Sequence, residues 1–297
     1  MSVRRIGVFD SGIGGLSVLQ ALQAELPGHD FVYVADSGYA PYGERSDAFV
    51  LARARTVTAW LLAQQLDALV VACNTATAAA IAALRRDHPA LPIVGVEPAL
   101  KPAASLSLTG HVAVMATRST LASDKFEALL ASVQGTVQVT VQACDGLAHA
   151  IERAVVMGHD GDTMALCARY IGSLGGSSRF GRGAGQIDTL VLGCTHYPFA
   201  RDLLQSLTRP GVRLIDTGPA VARQTRRLLQ TPRPGPGPGT SHSTPGNLAV
   251  QVTDCSPGTA GDGGHTRLVS SGLPGQLQAA ARRWLGNPLA TEELIYF

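Results

Sequence analysis

The sequence predicts an α/β protein of two similar, doubly wound parallel-sheet domains related by pseudo-twofold symmetry, with the active site at their interface. Three observations predict it. Short apolar runs alternate with Ala- and Leu-rich stretches of helical period, as βαβ units require. The 297 residues suit two compact domains. A weak internal repeat divides the chain. Arg5-Ile6-Gly7-Val8-Phe9-Asp10-Ser11 resembles His111-Val112-Ala113-Val114-Met115-Ala116-Thr117, each an apolar run ending in a hydroxyl residue. Leu69-Val70-Val71-Ala72-Cys73-Asn74-Thr75 resembles Leu190-Val191-Leu192-Gly193-Cys194-Thr195-His196, each ending in a cysteine followed by short polar groups.

In order, strands are expected at Arg5–Phe9, Phe31–Ala35, Ala68–Ala72 and Pro92–Val96, with helices at Leu16–Leu26, Asp47–Gln65 and Thr75–Arg86. The second half opens with a strand at His111–Ala116 and continues with helices at Leu121–Ser132 and Ala148–Val156. A strand at Thr189–Gly193, a helix at Pro198–Leu207, a strand at Val212–Asp216 and a basic helix at Pro219–Gln230 follow. Residues 231–247 and 256–264 are rich in Pro, Gly, Ser and Thr and read as loops. Around them, Leu248–Thr253 and Arg267–Ser270 read as strands and Gln276–Leu285 as a closing helix. The expected domains are 1–97 with 212–297, and 98–211.

Composition narrows the function. The chain is 45% hydrophobic and 15% charged, which excludes disorder, and its net charge of +2 gives no field for nucleic acid. Arg4 and Arg5 are followed at once by Asp10, Ser11 and a glycine-rich turn, so no secretory signal forms, and no apolar run reaches the length of a membrane span. These features favour a cytoplasmic protein. The five cysteines show no C-x-x-C pair and read as free thiols.

Cys73 and Cys194 stand apart because each follows a repeated strand, and ligands of such sheets sit beyond the strands' carboxyl ends. At a strand end before a helix, free N–H groups and the helix dipole are expected to lower the thiol pKa from its usual ~8.5. Two thiols facing one cavity from opposite sides suit inversion of a stereocentre, one as base and one as acid. Ser11, Asn74, Thr75, Thr117 and Thr195 are short polar groups at the same strand ends, suited to hold the carboxylates of a small acid.

These residues carry a resemblance. Asp10-Ser11-Gly12-Ile13-Gly14-Gly15, Ala35-Asp36-Ser37, Pro41-Tyr42-Gly43-Glu44-Arg45, Cys73-Asn74-Thr75-Ala76 and Gly193-Cys194-Thr195-His196-Tyr197-Pro198 together resemble the bacterial glutamate racemase family. The resemblance implies interconversion of L- and D-glutamate for peptidoglycan, no cofactor and no metal. It implies that Cys73 takes the α-proton of the D form and Cys194 that of the L form. Asp10, His196 and Glu152 would tune the thiols. Substrate would touch Asp10, Ser11, Pro41, Tyr42, Gly43, Asn74, Thr75, Thr117, Thr195 and His196. The partner is then glutamate, with no nucleic acid or membrane, and a homodimer is compatible. The run Cys144-Asp145-Gly146-Leu147-Ala148-His149-Ala150-Ile151 before Glu152 departs from the Pro-containing apolar stretch of the family.

Rival readings remain at this stage. Gly12-Ile13-Gly14 is the start of a dinucleotide fingerprint, but its sixth position is Ser17. Cys194 and His196 are the one close ligand pair for a metal. A non-catalytic binding module has no need of paired thiols. Aspartate or another small acid is the alternative substrate.

Overall fold

The protein is described from a computed structural model, which covers residues 3–231, 264–286 and 291–293. The strand expected at Leu248–Thr253, most of both expected loops, and Cys255 lie outside the described residues.

The first half runs β1 (Arg5–Asp10), α1 (Leu16–Glu25), β2 (Asp30–Ala35), α2 (Asp47–Leu62), β3 (Ala68–Val71), α3 (Asn74–Asp87) and β4 (Ile93–Gly95). The second runs α4 (Leu100–Leu106), β5 (His111–Ala116), α5 (Arg118–Leu121), α6 (Asp124–Ala131), β6 (Gln138–Ala143), α7 (Leu147–Met157), α8 (Gly161–Ser173), β7 (Thr189–Leu192), α9 (Arg201–Leu207) and β8 (Arg213–Ile215). The chain closes with α10 (Gly218–Gln230), β9 (Thr266–Ser270), α11 (Pro274–Leu285) and β10 (Thr291–Glu293).

Two sheets result, ordered β10-β9-β2-β1-β3-β4 and β6-β5-β7-β8. All the strand pairings are parallel. The repeat seen in the sequence is therefore a repeat of topology, because β2-β1-β3-β4 and β6-β5-β7-β8 are the same order. β1 and β5 correspond, as do β3 and β7. Central strands in such sheets are covered on both faces and read as continuous apolar runs. β3 and β7 are buried along their whole length.

Helices cover both faces of each sheet. Leu16, Leu19 and Leu22 of α1 pack with Val221 of α10 and Leu277 of α11 on one side of the first sheet. Val50, Val57 and Leu61 of α2 and Ala80 and Leu84 of α3 pack on the other. Around the second sheet, Leu147, Ile151, Cys167 and Ile171 form one core layer, and Leu100, Phe126 and Leu129 the other.

Several expectations change in detail. The helix expected at Leu121–Ser132 is two, because Ser123 stops the first and caps α6 by accepting a hydrogen bond from Phe126 N–H. The helix expected from Pro198 is a short 3₁₀ turn, Tyr197–Ala200, followed by α9. β8 pairs with β7, so the second sheet extends past the expected boundary at 212. The reason is that β8 takes the edge place that β4 holds in the first sheet, and only then does α10 return to pack on α1.

Candidate active site

Each half delivers its chemistry at the carboxyl ends of its two central strands. β1 ends at Asp10, whose side chain is fully buried. Its carboxylate accepts hydrogen bonds from Ser11 N–H (2.8 Å), Gly15 N–H (2.5 Å) and Thr195 Oγ1 (3.2 Å). The last of these crosses to the second half. The glycine-rich turn is thus wrapped around a carboxylate. The N–H groups of Ser11, Ile13 and Gly15 are spent on the carboxylates of Asp10 and Glu152, where a dinucleotide site would turn them to a pyrophosphate.

β3 ends before Cys73, which is the N-cap of α3 and accepts a hydrogen bond from Ala76 N–H at 3.5 Å. Its thiol lies 3.6 Å from Ser11 Oγ. The expectation of a lowered pKa fails here. Burial, and then the charge of Asp10, push the Cys73 thiol well above its ordinary range. The hydrogen bonds from Ala76 and Ser11 do not offset removal from water.

β7 ends before Cys194, and here the neighbours are different. Cys194 Sγ is 3.6 Å from His196 Nδ1, and His196 Nε2 is 2.8 Å from Glu152 Oε1. Ile13 N–H of the first half also donates to Glu152 Oε1, at 3.1 Å. Burial opposes a charged His196, but the hydrogen bonds to Cys194 and Glu152 outweigh it and raise the imidazole well above its usual pKa. Burial likewise opposes a charged Glu152, yet His196 and the Ile13 N–H bring its pKa below the usual value. Glu152 and His196 form an ion pair beside the second thiol. Asp10 is the contrast, since its burial raises the carboxyl pKa despite His196 and Ser11.

At two glycines of the turn a side chain would displace the Glu152–His196 pair. A Cβ on Gly12 would lie 2.0 Å from Glu152 Oε1, and one on Gly14 would lie 2.4 Å from His196 Nδ1. The turn is bare because the relay from the other half presses against it.

Between the halves lies a cavity of about 400 Å³. All thirteen residues singled out from the sequence line it: Asp10, Ser11, Pro41, Tyr42, Gly43, Cys73, Asn74, Thr75, Thr117, Glu152, Cys194, Thr195 and His196. Asn74 is buried, and both polar atoms of its side chain lack a hydrogen-bond partner. Thr75 Oγ1 meets Ser119 Oγ at 3.2 Å, and Ser119 lies 3.4 Å from Thr117 Oγ1, so hydroxyls bridge the halves. Tyr42 gives the cavity its ring and backbone, because its hydroxyl is hydrogen-bonded to Asp36. Among the described residues no group of three or more His, Cys, Asp or Glu side chains is placed to hold a metal ion.

The cavity also includes residues not singled out, among them Glu44, Arg118, Cys144, Asp145 and His149. The repeat could have found Cys144. It follows β6 as Asp36 follows β2, and β2 and β6 hold the same place in their sheets.

The sequence model of Asp/Glu/Hydantoin racemases matches residues 6–225. The chain belongs to the Asp/Glu/Hydantoin racemase family. Among curated relatives, the glutamate racemase of Ectopseudomonas mendocina (strain ymp) is 51% identical over 224 residues, covering 75% of this chain and 81% of that protein. Among solved structures, Escherichia coli glutamate racemase, in complex with L-glutamate and the activator UDP-MurNAc-Ala, is 29% identical with a TM-score of 0.77, covering 98% of both chains. A glutamate racemase isoform of Bacillus anthracis is 26% identical with a TM-score of 0.76, covering 98% of this chain and 97% of that one. In this racemase the departure before Glu152 leaves α7 intact: Gly146, at φ +77°, starts the helix, and Glu152 two turns on reaches His196.

Proposed function

We propose that this chain interconverts L- and D-glutamate by moving the α-proton between two thiols. The observation that carries the reading is that Cys73 and Cys194, at equivalent strand ends of the two half-sheets, line one small cavity. The family and the glutamate racemases it resembles support it.

Substrate held between the halves presents one face of its α-carbon to each sulfur. A thiolate on one side takes the α-hydrogen as a proton, leaving the electron pair delocalised into the α-carboxylate. The thiol on the other side gives its proton to the opposite face. The two sulfurs end with their protonation exchanged, so the next turnover runs in reverse or follows proton exchange with water. Cys73, raised by burial, favours the thiol form and serves as the acid for L-glutamate. Cys194 has the His196 imidazolium at 3.6 Å to support negative charge on sulfur. Ser11, Asn74, Thr75, Thr117 and Thr195 supply hydrogen bonds to the substrate's polar groups, and the unpartnered amide of Asn74 supports that role. Asp10, with Thr195 and the turn N–H groups fixing it, is suited to the ammonium group.

In this reading the enzyme supplies D-glutamate for peptidoglycan in the cytoplasm, where thiols stay reduced. A homodimer is its proposed assembly, read by sedimentation. Among the described residues no helix is long and apolar enough to cross a membrane.

The test is incubation of L- and D-glutamate separately in heavy water without added cofactor, with aspartate in parallel. The expected product carries solvent deuterium at the α-carbon, and Cys73→Ala and Cys194→Ala each lose at least about 10²-fold in rate. Full racemisation in either variant, or faster turnover of aspartate, overturns the reading.

A further inference from the structure

Behind the wall of the cavity formed by residues 41–43 lies a buried carboxylate that the reaction does not use. Asp36 follows β2 and is fully buried. One oxygen accepts from Arg53 Nη2 (2.8 Å) and Ser271 Oγ (2.7 Å), and the other from Arg53 Nε (3.0 Å) and the Tyr42 hydroxyl. Ser271 in turn accepts from Gly38 N–H at 3.2 Å. Gly38 is pressed against this loop, since a Cβ there would lie 2.6 Å from Ser271 O. Tyr42 itself packs in the same buried cluster as Cys73.

Four segments therefore meet at one anion: the end of β2, the cavity wall, α2, and, 235 residues beyond Asp36, the turn after β9. The Arg53 guanidinium holds the carboxylate by two parallel bonds, which fix its plane as well as its place. The Ser271 hydroxyl is the remaining support, and it comes from the C-terminal part of the chain, beyond residue 225, where the family match ends. Tyr42 hangs from the far oxygen. Burial, and then the Asp36 charge, keep its hydroxyl protonated, so Tyr42 acts through its position.

We infer that Asp36, Arg53 and Ser271 are positioning residues that hold Tyr42 and the 41–43 wall against the Cys73 side of the cavity. The turn after β9 is then a working part of the site. On the Cys194 side the equivalent strand-end residue is Cys144, and the carboxylate beside it, Asp145, is exposed and paired with Arg118, so among the described residues no buried carboxylate takes the place of Asp36 there. The consequence is one-sided: loosening the anion should open access to Cys73 and leave Cys194 as it was. The inference rests on the racemase reading for its kinetic consequence, but not for its effect on access to the thiol.

The test uses Ser271→Ala, with Ser271→Thr as the variant that keeps the hydroxyl. Thr225→Ala, a buried hydroxyl on α10 bonded to Val221 O, is the control for general destabilisation. Two measurements are made on the full chain. The KM for glutamate should rise about tenfold in Ser271→Ala, the scale on which one buried hydrogen bond acts, with kcat changed less. Because the equilibrium constant of a racemisation is one, kcat/KM must fall equally from both enantiomers. Iodoacetamide labelling, read at each cysteine by peptide mass spectrometry, should accelerate by a similar factor at Cys73 alone. Ser271→Thr should restore both. An unchanged KM, or a labelling increase shared by Cys194 or by the Thr225→Ala control, overturns the inference. If the wild type does not racemise glutamate, the functional reading fails, and Cys73-selective labelling still decides the positioning role.

Discussion

His196 is wholly enclosed, and burial by itself would strip its proton. It stays charged because Cys194 and Glu152 hold its two ring nitrogens, and Glu152 is in turn steadied by Ile13 N–H from the other half. Replacing the carboxylate in Glu152→Gln keeps the shape and removes the charge. The His196 pKa then falls, the imidazolium is lost at lower pH, and the alkaline limb of kcat/KM moves to lower pH. The stability consequence follows from the same shifts. A raised histidine stabilises the fold fully below its unfolded value of 6.5, and this is lost as pH rises through the folded pKa. A lowered glutamate stabilises fully above its unfolded value of 4.5, and this is lost as pH falls through its folded pKa. The gap in melting temperature between wild type and Glu152→Gln should therefore be widest between those two values and narrow toward alkaline pH. A gap independent of pH would show that the pair is not ionised.

At the scale of elements, the start of α3 puts structure and chemistry on one atom. Cys73 Sγ caps the helix and is also the proposed base, so a substitution can separate the two. Serine is a preferred N-cap and its oxygen can take the Ala76 N–H. Its hydroxyl is too weak an acid to cycle as a proton carrier. Cys73→Ser should melt within about 2 °C of wild type while racemisation falls by about 10²–10⁴-fold. A melt much lower, with partial activity, would mean that the sulfur matters more to packing. The elements also show what the sequence could and could not disclose. β1, β3, β5 and β7 were legible because each is an apolar run ending in a repeated polar signature, and those same strand ends carry the site. β6 is not legible because it is an edge strand with no fully buried residue, Gln138-Val139-Thr140-Val141-Gln142-Ala143, and so no apolar run to mark it. α8 was missed although Thr163, Cys167, Tyr170 and Ile171 recur on one face, because Gly161 and Gly172 weaken its helical signal. The acidity of Cys73 was misjudged for another reason. A strand end before a helix is visible in sequence, but depth of burial and the facing Asp10 are not.

For the whole molecule, the two halves meet at the site and again where α11 packs on α7, with Trp284 stacked on Phe199 and Arg283 paired with Asp160. Thr195 reaches Asp10, Ser17 Oγ donates to Thr195 O at 2.8 Å, Ile13 N–H reaches Glu152, and Thr75 meets Ser119. Lys125 Nζ adds a bond to Thr77 O at 2.8 Å. The ties at the site itself are polar, and the cavity between them is lined by Asn74, whose amide is unpartnered. A ligand that bonds to both halves at once completes the contact, so substrate should act as a structural cross-link. Binding at 100 times Kd stabilises the folded state by about 2.7 kcal/mol, an increase of about 4 °C in melting temperature for a chain of this size. Measured in the Cys73→Ala/Cys194→Ala double variant, where no turnover mixes the enantiomers, L- and D-glutamate should each raise the melting temperature. Hydrogen exchange should slow at the ends of both β1 and β7. Protection confined to one sheet would place the ligand on one half alone. It would then have to be explained how a single face of the substrate reaches two sulfurs that stand at the ends of strands in different sheets.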